Sequence, residues 1–149
     1  MKSLYWAPVV VMFAGCARSP EPAPAPPPEP FKIVATAKQL MHAITIPASD
    51  AVWKVAGEPP KTDEGWQAVE YSALALAESG NLLLMKGRAK EGDEWTKYST
   101  QLVEVGAKAA EDARAKDVDK MMAVGDELYT ICENCHMKYM PQEPPPAEK

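Results

Sequence analysis

Histidine is scarce in this chain of 149 residues: there are only two, His42 and His136. No paired His-x-His spacing exists, so the usual multi-histidine metal motifs are excluded. Positive charge is thin too. The formal net charge is −5, and no basic patch is available to neutralise phosphates, which excludes nucleic acid as a partner. The acidic balance suits a neutral or basic partner surface. No apolar run reaches the ~20 residues that a membrane-spanning helix needs. Between residues 31 and 140 no stretch alternates convincingly with period two, so a sheet is not expected. Cysteine is limited to Cys16, Cys132 and Cys135. An odd count in a secreted chain needs an explanation, and each end of this chain supplies its own. Proline is plentiful, at 15, but it gathers near the two ends and leaves the centre free to pack.

The start, "MKSLYWAPVVVMFAGCARSP", places Lys2 before an apolar run from Leu4 to Phe13. The run is the length of a secretory h-region, not of a membrane span. It ends in Ala14, Gly15 and Cys16, which resembles a bacterial lipobox. Phe13 stands where that motif prefers leucine. The resemblance implies a lipoprotein signal peptide over 1–15 and a lipid on Cys16, which would tie the chain to a membrane. The plainer alternative is an ordinary signal peptide with an incidental cysteine. Ala17 is not the aspartate that often retains lipoproteins at the inner membrane, so the outer membrane is the expected site. Then comes "ARSPEPAPAPPPEP". Its prolines enforce extended polyproline II without core-forming side chains. At about 3.1 Å per residue it reaches ~40 Å, a semi-rigid tether over 16–30. The tail 141–149 is similarly unfit for packing and is expected to be disordered. One folded domain is left, over 31–140.

That domain reads as helical throughout. Trp66, Val69, Ala73, Leu76, Gly80 and Leu83 step by threes and fours, the signature of a helix face. Thr62, followed by Asp63 and Glu64, is a cap and an acidic first turn; Gly87 is the expected C-cap. Trp95, Tyr98, Leu102, Val105 and Ala109 form a third stripe, with Asp93 as the expected cap. Val118, Met121, Gly125, Leu128, Cys132, Cys135 and Tyr139 form the last, capped by Asp117. The first segment is less regular: Val34, Ala37, Met41 and Ile44 make a stripe. Pro47 then interrupts it, because proline lacks a donor, and helix resumes over 50–55. Trp53, Trp66 and Trp95 read as core anchors, not electron relays. Four amphipathic segments with short connections predict an all-α fold, an antiparallel four-helix bundle.

The chemistry concentrates in "YTICENCHMKYMP", residues 129–141. Cys132, Cys135 and His136 match the Cys-x-x-Cys-His pattern of covalent haem attachment. Positions i, i+3 and i+4 share one helix face. Two thiols there can add to the vinyl groups at one porphyrin edge, and the imidazole beside them can bind iron. Two other readings carry less weight. A redox dithiol wants a βαβ setting, and no strands are expected here. Structural zinc wants four ligands, and only Cys132, Cys135, His136 and the distant His42 are on offer.

A four-helix domain with this motif in its last helix, followed by Lys138 and Tyr139, resembles the class II cytochromes c, the cytochrome c-prime family. The stretches "IPASDAVWKV", "EGWQAVEYSALALAESGNLLL" and "DEWTKYSTQLV" are similar to a lipoprotein-type, low-spin branch of it. The resemblance implies one haem c, attached through Cys132 and Cys135 in the bundle core, with His136 as an axial ligand. Family members differ at the sixth iron position. In some it is open and binds small gases; in others a methionine of the first helix fills it, which raises the reduction potential. Met41 lies on the first inward stripe, whereas His42 is about 100° around the helix, in phase with Lys38 and Thr45 and so outward or at the edge. Met41 is therefore the expected ligand, with His42 or an open site as alternatives. Met85, Met121 and Met122 read as packing or surface residues. Tyr139 would flank the haem edge. Arg88, at the end of the second helix, is a candidate propionate contact, or simply a cation at a helix C-terminus.

The function expected from these residues is electron carriage by a monohaem c-type cytochrome on the periplasmic side of a bacterial membrane. It would be no enzyme, and its partners would be redox proteins of the cell envelope. The rival expectations are a high-spin NO or CO binder with an open distal site, and a helical adaptor without haem. The family also brings homodimers, which nothing in this sequence specifies.

Overall fold

The computed structural model describes residues 31–140. The signal, lipidation and tether expectations, including Cys16, and the expected disordered tail lie outside the described residues. Within them there are no strands, and no helix is long and apolar enough to cross a membrane.

The first helix is composite. Helix α1 (Ala37–Leu40) runs into a π turn (Met41–Thr45) and then into α2 (Ile46–Lys54). Three longer helices follow: α3 (Asp63–Leu83), α4 (Asp93–Ala115) and α5 (Val118–Tyr139). The composite helix packs on α3 and α5, α3 packs on α4, and α4 packs on α5. Only Lys116 and Asp117 join α4 to α5. A link that short cannot carry the chain back along a helix, so the two packed helices run in opposite directions. All-helical packing of four helices is thus as expected.

Local chemistry sets the ends. Thr36 Oγ1 accepts from Gln39 N–H at 3.2 Å, and Gln39 Oε1 accepts from Thr36 N–H at 2.9 Å. This reciprocal capping box starts α1. Thr62 caps α3 by accepting from Gly65 N–H at 3.1 Å, and Asp117 caps α5 by accepting from Lys120 N–H at 3.0 Å. The expected cap of α4 is displaced by one residue. Gly92, at φ 101°, holds the N-cap position, and Asp93 is the first helical residue. The carboxylate of Asp93 still complements the helix dipole there. Gly87 is also displaced: α3 ends four residues earlier, at Leu83. Gly87 instead supplies a φ of 89° in the following turn, which favours a residue without Cβ.

Pro47 does not break the first helix. It sits near the start of α2, where a missing donor is tolerated. The π turn just before it absorbs the mismatch, with Ile46 N–H donating to Met41 carbonyl, one residue further back than in an α-helix. Val34, expected on the first stripe, lies outside the helix and is 83% exposed. The stripe begins instead at Ala37.

The other stripes pack as their spacing requires. Leu76, Val105, Met121, Val124 and Leu128 are fully buried, as are Val52 and Val55 of the first segment. Helices α3 and α4 touch backbone to backbone. A Cβ on Gly106 would lie 2.6 Å from Ala77 N, and one on Gly80 would lie 2.7 Å from Ser99 O. Trp66 and Trp95 are core anchors. The Trp95 indole N–H donates to Leu83 carbonyl at 3.0 Å, tying the start of α4 to the end of α3. Trp53 departs from expectation. It is 36% exposed, and its indole N–H donates to Gly125 carbonyl on α5 at 3.0 Å.

Candidate functional site

The inward stripe of α5 changes character along its length. From Met121 to Ile131 the inward side chains are buried, but Cys132, Cys135 and Tyr139 are only half-buried. Neighbouring helices do not close over the two cysteines. The space left is a cavity of about 390 Å³, open on one side, within the size range of small-ligand and cofactor sites.

Its walls come from all four helices. Met41, Thr45, Ser49 and Trp53 come from the composite first helix, and Leu83 from the end of α3. Tyr98, Ser99 and Leu102 come from α4, and Cys132, Cys135 and His136 from α5. Met41 thus borders the same space as the Cys-x-x-Cys-His residues, although ninety positions separate them in the chain. Met41 is half-buried, whereas His42 is exposed and is not part of the wall.

The mouth is apolar. Ile46, Trp53, Tyr129, Met137 and Met140 all border it, and each is an exposed large hydrophobic side chain. Contiguous exposed apolar surface of this kind marks a binding site more often than a solvent face.

The last turn of α5 is firmly held. The Tyr139 ring meets Trp95 edge-on, with centroids 5.0 Å apart and planes at 89°. Lys138 pairs with Glu94 at the start of α4. Both contacts fix the segment that carries Cys135 and His136. Tyr139 lies behind this segment and is not part of the cavity wall.

Arg88 is elsewhere. It is buried, and its guanidinium donates to Ala35 carbonyl at 3.1 Å and to Leu82 carbonyl near the end of α3. The second contact is the helix-terminus role open to it from sequence. Its donors pin the entry segment of the first helix, away from the cavity.

Electrostatics narrows the chemistry of the two cysteines, which are unpaired. Burial, reinforced by the Cys135 charge, pushes the Cys132 thiol up from its ordinary 9.0 to about 11. Burial pushes Cys135 upward as well. Reactive dithiols show the opposite shift, towards thiolate at neutral pH. Among the described residues no group of three or more His, Cys, Asp or Glu side chains is placed to hold a metal ion, so no closed zinc cage is formed.

Phase along a regular helix set Thr45 with His42 on the outer or edge face, but Thr45 is buried and borders the cavity, because the π turn changes the angular step. Sequence reasoning missed Ser49, Met137 and Met140, although Met140 follows His136 by one turn. No family model, curated protein or solved structure matches the chain.

Proposed function

We propose that residues 31–140 form a monohaem c-type cytochrome domain that carries electrons. The observation that carries this reading is the meeting of Met41 with Cys132, Cys135 and His136 on one apolar cavity. The residues present fit a haem. Two protonated thiols one helical turn apart are the chemistry of thioether attachment. The His136 imidazole follows the second thiol directly and would serve as an iron ligand. A single thioether, Met41, comes from the first helix and completes a Met/His donor set, one of those that raise haem reduction potentials. The apolar walls suit a macrocycle, and the exposed ring of Ile46, Trp53, Tyr129, Met137 and Met140 becomes useful as its cover.

When bound, the haem iron supplies one-electron chemistry by changing between ferric and ferrous states. The chain's own residues do the rest. Cys132 and Cys135 would hold the group in place, and His136 and Met41 would be the side chains that bind its iron. Leu83 and Leu102 exclude water. The proposal extends to the cell context read from the sequence. A lipid on Cys16 and the proline-rich tether hold the domain at the periplasmic face of a bacterial membrane, the outer membrane by preference. Redox proteins of the envelope exchange electrons with it, and it transforms no substrate.

The test is an absorption spectrum of protein made with an intact haem-maturation system, with and without CO, for wild type and Met41→Ala. The wild type should carry haem that survives denaturation and should show a low-spin spectrum indifferent to CO. Met41→Ala should turn high-spin and bind CO. A wild type that already binds CO rapidly would replace electron carriage with gas binding at an open distal face. A low-spin spectrum unchanged by the substitution would move the ligand to another residue, and absence of haem would refute the proposal.

A further inference from the structure

Several hydroxyls inside these helices share one habit. Ser49 donates to Thr45 carbonyl at 2.7 Å, Ser72 to Ala68 carbonyl at 2.9 Å and Thr130 to Asp126 carbonyl at 3.0 Å. Each uses the carbonyl one turn back, the usual outlet for a helical serine or threonine. Thr45 does not. Its residue is 3% exposed, and its Oγ1 is buried without any hydrogen-bond partner. Thr45 lies in the π turn. The carbonyl one turn back belongs to Met41, and in this turn it takes Ile46 N–H. Thr45 is the last residue of the turn and borders the cavity.

A buried hydroxyl without a partner costs free energy. Such groups in a folded protein call for an explanation, often a functional one. The Ser49 hydroxyl, one turn on, donates to Thr45 carbonyl and does not take the Thr45 proton. With no partner inside the fold, the cavity that Thr45 borders is where an acceptor can come from. Met41 is one turn away on the same element and borders the same space. We infer that Thr45 is a positioning residue for Met41: its hydroxyl is the hydrogen-bond donor to the Met41 sulfur when that sulfur serves as iron ligand. This rests on the proposed Met41 ligation. A hydrogen bond at an axial ligand draws electron density from the donor atom, which is one of the protein's controls over haem potential. The π turn would then carry both the proposed ligand and its donor.

Thr45→Val keeps the shape and removes the donor; Thr45→Ser keeps the donor. In the haem-loaded protein, Thr45→Val should stay low-spin but show a lower reduction potential, because the undisturbed thioether donates more strongly to ferric iron. Thr45→Ser should return the potential towards wild type. An unchanged potential in a Thr45→Val protein that is still low-spin overturns the inference. The haem-free protein gives an independent readout. There Thr45→Val should melt at the same temperature as wild type or higher, since a methyl replaces an unpaired buried hydroxyl. A lower melting temperature would mean that the hydroxyl is already satisfied within the fold, and would also overturn it. Failure of Met41 ligation itself is read separately, from the Met41→Ala spectrum.

Discussion

In the haem-free protein, Cys132 makes stability depend on alkaline pH in a way that can be worked out. Its thiol titrates near 9.0 when exposed and near 11 in the fold, because burial penalises the thiolate and Cys135 repels it. The folded state therefore holds a proton that the unfolded state releases in this interval. Stability is at its full value below the unfolded pKa and falls as pH rises through the folded one. A shift of about two units, at about 1.36 kcal/mol each, is about 2–3 kcal/mol lost between pH 9 and 11. For a domain of this size that corresponds to about 10 °C or more in melting temperature. Urea unfolding at pH 8 and pH 11 measures the loss. Lysines and tyrosines also titrate there, so the comparison is with Cys132→Ser, whose decline over the same range should be smaller by about that amount. Equal declines would refute the burial argument. In haem-loaded protein the sulfur would be a thioether with no proton to lose, so the Cys132 share of the decline should vanish.

Substitutions at two further positions test the scaffold. Gly106→Ala would place a methyl 2.6 Å from Ala77 N and 2.8 Å from its Cα, both backbone atoms that cannot yield without separating α3 from α4; chemical denaturation should show a loss of about 1–3 kcal/mol. Tyr139→Phe keeps the ring against Trp95 and removes a buried hydroxyl that has no partner, so its stability should match or exceed wild type, while Tyr139→Ala should lose about 2–4 kcal/mol and yield less haem-loaded protein on expression.

The bundle was legible because each stripe is a property of one helix. Trp66 to Leu83 and Met121 to Leu128 recur every three or four residues, and a helix can bury such a face only against others. Caps were legible where a side chain does the capping, as at Thr62 and Asp117. They were missed where backbone conformation does it, as at Gly92. The first segment was the hardest to read. Its helix takes in one extra residue at Met41–Thr45, and a pattern search with a fixed period has no place for that residue.

The candidate site divides in the same way. By itself the sequence determined the Cys-x-x-Cys-His motif, because i, i+3 and i+4 spacing puts Cys132, Cys135 and His136 on one helix side whatever surrounds them. Phase along the first helix suggested Met41 inward and His42 outward; Met41 is half-buried on the cavity wall and His42 is exposed, although both lie in the π turn that a fixed period does not describe. Which residues share a cavity is a property of how four helices stand against one another, and no local spacing encodes it. Only the tertiary structure brought Met41 to the wall that carries the cysteines, and sent Arg88 to the carbonyls of Ala35 and Leu82. It alone turned Trp53 from a core anchor into part of the cavity rim. It also left the Thr45 hydroxyl buried and unpaired in the π turn, where the angular step differs from that of the regular helix which spacing assumes.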